Sequence, residues 1–246
     1  MRFFRVLVAS LLLSSATVGL ADDADGTVSL FNGTDLTDWD GDERFWRVQD
    51  GSIVGQTTDE NKAENNTFLI YRGGEFGDFE LTFEYQVEGF NSGIQYRSEE
   101  VGEYSIKGYQ ADFEARWHDD GSADKFSGMF FEEQGRMFMG QRGEAVVVRT
   151  NEGEPMSPEI DIIGSLGDAA ELETAINRDG WNSYRIIADG HTFTHIINDR
   201  VMSVAFDEDT KHRKDSGLIA LQLHSGPPMK IMVKNLSLKP LHGESD

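Results

Sequence analysis

The sequence predicts an all-β protein, a two-sheet antiparallel sandwich built as one domain. Runs that alternate apolar with polar residues recur from Leu30 to Leu238, and that alternation is the period of a half-buried strand. Gly, Asn and Asp turn signals separate these runs. Only the stretch from Asp168 to Asn177 has a helical pattern, with Asp168 as its N-cap. A chain of about 225 residues after removal of a leader suits one sandwich. Five Pro and the lack of a Ser/Gly/Pro tract argue against a linker, and there is no internal repeat.

Along the chain, Leu30 to Trp39 carries the turn signal Asn32-Gly33. It leads to Trp46-Arg47-Val48 and Ser52-Ile53-Val54, joined at Asp50-Gly51. Asp-Gly between two apolar runs predicts a hairpin. The polar stretch 59–66 predicts a loop. Strands are expected at Phe68 to Tyr71, Glu80 to Val87, Gly93 to Arg97, Tyr109 to Phe113, Gly128 to Phe131 and Ala145 to Arg149, with a loop from Asn151 to Pro158. After the helix, strands are expected at Trp181 to Ala188, Phe193 to Ile197, Val201 to Phe206, Leu218 to His224 and Ile231 to Leu238. Turns fall at Asp189-Gly190 and Asn198-Asp199.

The start Met1-Arg2-Phe3-Phe4-Arg5, the apolar stretch Val6 to Leu13 and the small residues up to Ala21 predict a secretory leader, residues 1–21. The stretch is too short to span a bilayer, and nothing later resembles a membrane span. A secreted or periplasmic protein is expected. The chain has 22 Lys+Arg against 44 Asp+Glu; loss of Arg2 and Arg5 would move its net charge from −22 to −24. Such a surface repels nucleic acid, while a neutral substrate or a bound cation is compatible with it. Without Cys, the chain has no disulfide, thiolate nucleophile or Cys-ligated zinc.

Chemistry-bearing residues sit at the polar positions of four runs: Phe79 to Tyr85, Ile94 to Arg97, Tyr109 to Phe113 and Ile219 to His224. If these strands share a sheet, Glu80, Glu84, Gln95, Arg97, Gln110, Asp112, Gln222 and His224 share one surface. That set supplies acids, bases, amides and a cation, as a carbohydrate-processing groove requires; the plainer alternative is a solvated sheet face with cross-strand pairs. Glu80 and Glu84 lie about 13 Å apart along a strand, so neither can be the other's close catalytic partner. A retaining pair, with carboxyls about 5 Å apart, would need neighbouring strands, such as Glu84 with Asp112. His224 is a candidate base because imidazole titrates near neutrality, and Arg97 a candidate bidentate cation or a salt-bridge partner of Glu84 or Asp112. Gly93, in Asn91-Ser92-Gly93, is expected to supply a special backbone conformation. The run His118 to Asp124 offers close-spaced oxygens for calcium but lacks the spacing and closing Glu of a helix-flanked loop.

The ordered set Leu30-Phe31-Asn32-Gly33, Asp35-Leu36, Trp39, Trp46-x-Val48-x-Asp50-Gly51, Asp78-Phe79-Glu80-Leu81, Glu84-Tyr85, Asn91-Ser92-Gly93-Ile94, Arg97, Gly108-Tyr109-Gln110-x-Asp112, Trp181-Asn182-x-Tyr184 and Ile219-Ala220-Leu221-Gln222-Leu223-His224-x-Gly226 resembles the 3-keto-disaccharide hydrolase family. It spans about Val28 to Leu241. The resemblance implies a concanavalin-like jelly roll acting on 3-keto-glycosides, in a family that includes 3-keto-glucoside lyases coupled to hydration of the 2-hydroxy-glucal. Matched positions implied to line the site are Glu84, Asn91, Arg97, Gln110, Asp112, Gln222 and His224. Many relatives have Glu where Gln110 stands, and Asp199 replaces the usual Gly after Asn198.

Under that resemblance, His224 or Asp112 is the base at C2 and Glu84 the acid at the leaving oxygen. Arg97, or a divalent cation held by carboxylates and His224, stabilises the enolate. Asn91, Gln95, Gln110 and Gln222 hold substrate. The competing expectations are a noncatalytic carbohydrate-binding module on the same fold and an ordinary two-carboxylate glycoside hydrolase.

Overall fold

Seventeen strands and one short helix account for the regular structure of the computed structural model, which describes residues 26–115, 125–154 and 156–242. The expected leader and the acidic run from His118 lie outside the described residues. In chain order the strands are β1 (Val28–Ser29), β2 (Trp39–Asp40), β3 (Trp46–Gln49), β4 (Ser52–Gln56), β5 (Thr67–Tyr71) and β6 (Phe79–Glu88). There follow β7 (Asn91–Gly102), β8 (Ser105–Glu114), β9 (Phe130–Glu133), β10 (Met137–Gly140), β11 (Glu144–Arg149) and β12 (Glu159–Ser165). Helix α1 (Ala169–Glu173) precedes β13 (Asn182–Asp189), β14 (Thr192–Ile197), β15 (Arg200–Asp207), β16 (Leu218–Leu223) and β17 (Lys230–Pro240).

The strands form two packed sheets. One has the order β12-β11-β15-β14-β13-β6-β17-β4-β3, with β1 also on β17; the other is β10-β9-β8-β7-β16-β5-β2. Every strand pair except β11 with β15 is antiparallel. The expected all-β sandwich is the observed one.

Alternation explains why these residues face each other. On β6, Phe79, Leu81, Phe83, Tyr85 and Val87 are buried while the residues between them are not. On the facing sheet, Ile94 and Tyr96 of β7, Tyr109, Ala111 and Phe113 of β8, and Ile219, Leu221 and Leu223 of β16 fill the same core. Tyr85 stacks on Phe113 with ring centroids 4.4 Å apart, and Tyr109 packs on Phe193 at 4.7 Å. Along β17 the inward positions change phase from Ile231 and Val233 to Leu236 and Leu238. A bulge with Asn235 at φ 53° absorbs the extra residue.

The short connections follow their turn chemistry. Asp50 and Gly51 both take positive φ between Gln49 and Ser52, as do Asn198 and Asp199 between Ile197 and Arg200. Two positive φ values in a two-residue loop are what a twisted hairpin demands; Asp199 tolerates a conformation that Gly adopts more freely. The Asp168 carboxylate caps α1 by accepting from the Ala170 and Glu171 amides, as expected. The helix ends at Glu173, shorter than its sequence pattern. Strand β12 has no period-two burial, because it is an edge strand exposed along its whole length.

Among the described residues, the buried guanidinium groups of Arg136 and Arg97 join the sheets. Arg136 binds Glu132 (Nε–Oε2 2.6 Å), Asp207 (Nη2–Oδ2 2.7 Å) and Asp209 (Nη1–Oδ2 3.3 Å), while the Tyr109 hydroxyl donates to Asp207 at 2.6 Å. Burial works against the Arg136 charge, but the hydrogen bonds and charges of Asp207 and Glu132 outweigh it and raise its pKa.

Arg97 is the second. The β7–β8 register slips between Tyr96 and Glu99, and Arg97 takes φ 44°. The side chain therefore leaves the phase of Gln95. Its Nε donates to Gly77 O (2.8 Å), Nη1 to Gly190 O (2.7 Å) and Lys214 O (3.2 Å), and Nη2 to Asp78 Oδ1 (2.7 Å). Its guanidinium carbon lies 5.1 Å from the centre of the Phe193 ring. This corrects the expectation that Arg97 faces substrate: it is a cross-sheet staple. Arg97→Met should lower unfolding free energy by about 3 kcal/mol, since it removes four hydrogen bonds donated by a buried guanidinium, one of them to a carboxylate. Arg97→Lys should also destabilise, because one ammonium cannot reach four acceptors in a plane. Denaturant melts within about 0.5 kcal/mol of the parent for Arg97→Met would refute the staple.

His195 is fully buried, with Nδ1 3.0 Å from Met129 O and Nε2 2.9 Å from the Tyr96 hydroxyl. Burial depresses its pKa from 6.5 to about 4. Between those values the unfolded chain binds the extra proton, so stability falls as pH drops through 6.5 and this loss levels off below 4. The shift corresponds to about 3 kcal/mol. Melts across that window should show the loss, and His195→Gln should remove this component of the pH dependence; an unchanged slope in the variant would contradict it.

Candidate functional site

The outward face of the second sheet is a separate environment from the shared core. Phe68, Ile70, Ile106 and Ala220 form a small apolar cluster there, with Tyr104 and Leu218 packed on it. The far end of the β7–β8 hairpin reaches β5: Tyr104 O accepts from Phe68 N at 3.1 Å, and Arg72 pairs with Glu100 at 2.7 Å. Beside this cover the face opens into a cavity of about 210 Å³. Asn91, Gln110, Asp112, Glu133, Gln222 and His224 supply its polar wall, and Phe90, Phe126, Phe131 and Phe138 its apolar wall.

Each polar group arrives by strand phase. On β8, Tyr109, Ala111 and Phe113 point to the core, so Gln110 and Asp112 point to the cavity. On β16 the inward Leu221 and Leu223 leave Gln222 outward, and His224 continues that phase just past the strand. Gly93 does not take positive φ among the described residues. Its role is space: a Cβ there would lie 2.6 Å from Gln110 Cγ. The missing side chain lets Gln110 lie across β7.

Hydrogen bonds connect the wall into one chain. Gln110 Nε2 contacts Asp112 Oδ1 and lies 3.4 Å from Gln222 Oε1. Gln222 Nε2 donates to Glu133 Oε2 and Asn66 Nδ2 to Glu133 Oε1, both at 3.2 Å. Asn66 Oδ1 accepts from Ser225 N at 3.0 Å, and Ser225 O lies 2.5 Å from His224 Nδ1. With Nδ1 donating to that carbonyl, the tautomer leaves Nε2 with the lone pair of a base. The His224 ring meets Phe90 edge to face at 4.9 Å. Burial raises the Glu133 pKa, and the hydrogen bonds from Asn66 and Gln222 offset this only in part.

The structure thus brings together Asn91, Gln110, Asp112, Gln222 and His224. Gln95 is fully buried and touches the Gln110 amide from behind instead of lining the cavity. Glu84 does not join them. It lies on β6 of the other sheet, bound by Asn235 Nδ2 at 2.6 Å and Lys234 Nζ at 3.3 Å, and Glu80 sits on the same outer surface, 3.9 Å from Arg185. Glu84 therefore cannot pair with Asp112. Glu133 was missed by sequence reasoning. Phe130-Phe131-Glu132-Glu133 has doubled apolar and doubled acidic positions, which blur the alternation; of the two neighbouring acids, Glu132 turns to Arg136 and Glu133 to the cavity.

Two carboxylates and an imidazole are a donor set suited to a divalent cation. Among the described residues they are not preformed for one. The trio whose ligand atoms lie within 4.8 Å of one another is Asp78, Asp189 and His242, beside the Arg97 staple and away from the cavity. Among the described residues no helix is long and apolar enough to cross a membrane.

The fold matches solved structures across most of its length. A candidate glycosyl hydrolase from Parabacteroides distasonis has TM-score 0.56 and 20% identity, over 89% of this chain and 96% of that one. A Bacillus subtilis protein with a galectin-like fold has TM-score 0.55 and 10% identity, over 83% and 90%. A B. subtilis carbohydrate-binding module has TM-score 0.51 and 14% identity, over 84% and 98%. At such identities the likeness is one of fold. No curated protein sequence matches the chain. Residues 26–239 match the 3-keto-alpha-glucoside-1,2-lyase-like domain, and the chain belongs to that family.

Proposed function

We propose that the protein cleaves 3-keto-glycosides by elimination across C1 and C2, followed by hydration. The observation that carries this is the convergence of His224, Asp112 and Glu133 on one ring-sized cavity in a chain of the 3-keto-glucoside lyase-like family. A carbonyl at C3 acidifies the hydrogen on C2, so a modest base suffices. His224 Nε2 takes that proton and the electron pair enters the C2–C3 enolate. The enolate collapses to a C1–C2 double bond, expelling the C1 oxygen, which takes a proton from Glu133. Water then adds across the double bond, with hydroxyl at C1 and hydrogen at C2, so the net reaction is hydrolysis.

The roles follow from environment. Burial moves the Glu133 pKa upward, the direction a general acid requires, and Glu133 takes the part expected of Glu84. Amide donors on Gln222 and Asn91 take the part expected of Arg97, holding the developing oxyanion, while the Gln110 amide fixes Gln222 through the Gln222 carbonyl. Asp112, set beside Gln110, orients that amide and is the second candidate base.

Purified protein should release product from a 3-keto-disaccharide and none from its unoxidised parent. Cleavage of the parent would favour a two-carboxylate hydrolase, and cleavage of neither a binding module. His224→Ala should lower turnover of the keto substrate by on the order of 10²-fold, while Glu84→Gln should match the parent enzyme. Equal turnover by His224→Ala would remove the imidazole from the mechanism.

A further inference from the structure

A cavity of about 210 Å³ is smaller than the roughly 300–1,000 Å³ that encloses a drug-sized ligand. It takes one sugar ring, and whatever is attached at C1 must lie outside. A second recess, of about 460 Å³, is lined by Asn66, Thr67, Tyr104, Asn65, Arg44 and Lys62 among others. Asn66 forms the ridge between the two. It lines the recess while its amide donates to Glu133 and its carbonyl accepts from Ser225.

We propose that this recess binds a neutral, hydroxyl-rich ring, the leaving-group sugar of the glycoside. The inference rests on the cavity being the site of 3-keto-glycoside cleavage. A ring in each compartment places the oxygen that joins them over Asn66, next to Glu133, where the leaving group must receive its proton. Tyr104 provides a fixed aromatic face, because its ring packs on the cluster of Phe68, Ile70, Ile106 and Ala220 and its carbonyl is bonded to Phe68 N. Flat aromatic rings suit the apolar face of a sugar.

The charges favour a neutral occupant. The Arg44 guanidinium is held by Asp42 through Nε (2.9 Å) and Nη2 (2.5 Å), and Lys62 pairs with Asp59 at 3.3 Å. The three carboxylates of the lining, Asp42, Glu64 and Glu103, outnumber these two cations, which disfavours an anion. The carboxylates of Glu64 and Glu103 and the amide of Asn65 are the acceptors and donors that sugar hydroxyls use. The comparably sized groove lined by Gln56, Glu88 and Lys230 has no aromatic side chain.

The test compares a 3-keto-disaccharide with methyl 3-keto-glucoside, whose leaving group cannot fill the recess. In Tyr104→Leu and Asn65→Ala, the ratio of kcat/KM for the disaccharide to that for the methyl glycoside should fall, by about tenfold for Tyr104→Leu and mainly through KM. A ratio equal to the parent's in both variants overturns the proposal. Independently, titrating the parent protein with the unoxidised disaccharide should shift the side-chain amide NMR signals of Asn65 and Asn66 saturably. Shifts confined to Gln110 and Gln222 would overturn it. If the parent protein cleaves neither keto substrate, the cleavage reading falls, and the amide shifts still decide whether the recess binds sugar.

Discussion

Strand β8 is the element on which both the core and the cavity depend. Its alternation places Tyr109, Ala111 and Phe113 against the facing sheet and Gln110, Asp112 and Glu114 on the other side, with all six buried. A strand buried on both faces has little freedom to slip, because a one-residue shift would drive Asp112 into the aromatic core and Phe113 into the polar wall. The same packing that stabilises the sandwich therefore fixes the position of the polar groups that line the cavity. Gly93 on the neighbouring strand completes the constraint by leaving room for Gln110.

The polar wall obeys a second rule, that buried polar groups survive only when paired. The chain from Asp112 through Gln110, Gln222 and Glu133 to Asn66 and Ser225 pairs its members with one another. Amides predominate in it, which lets two carboxyl groups share a small cavity without a formal countercharge from Arg97. Burial and amide bonding act on Glu133 in opposite directions, and burial is the larger influence.

Alternation made much of this legible from sequence, since period two says which residues of one strand share a face. The polar sets on β8 and β16 were readable for that reason, and so were the hairpin turns at Asp50-Gly51 and Asn198-Asp199. Period two does not say which sheet a strand joins. Glu84 has the right phase on β6 but belongs to the opposite sheet. Nor does it survive a bulge: Arg97 falls where β7 slips and a left-handed residue redirects the side chain. Glu133 was hidden because adjacent acids on a short strand serve different faces, and only the position of Arg136 decides which goes where.

The Arg97 staple bears on how mutational surveys of this fold are to be read. Under the proposed mechanism, a screen that scores activity in living cells would place Arg97 beside His224, since losing either would reduce product. The reasons differ: a staple variant lowers the number of folded molecules, which proteases then deplete further, whereas an imidazole variant lowers the output of each molecule. Dividing activity by the amount of soluble protein would restore much of the Arg97 signal and none of the His224 signal. Sensitivity to substitution thus marks two physically different populations of residues, and in this sandwich one lies on β7 and the other just past the end of the neighbouring β16.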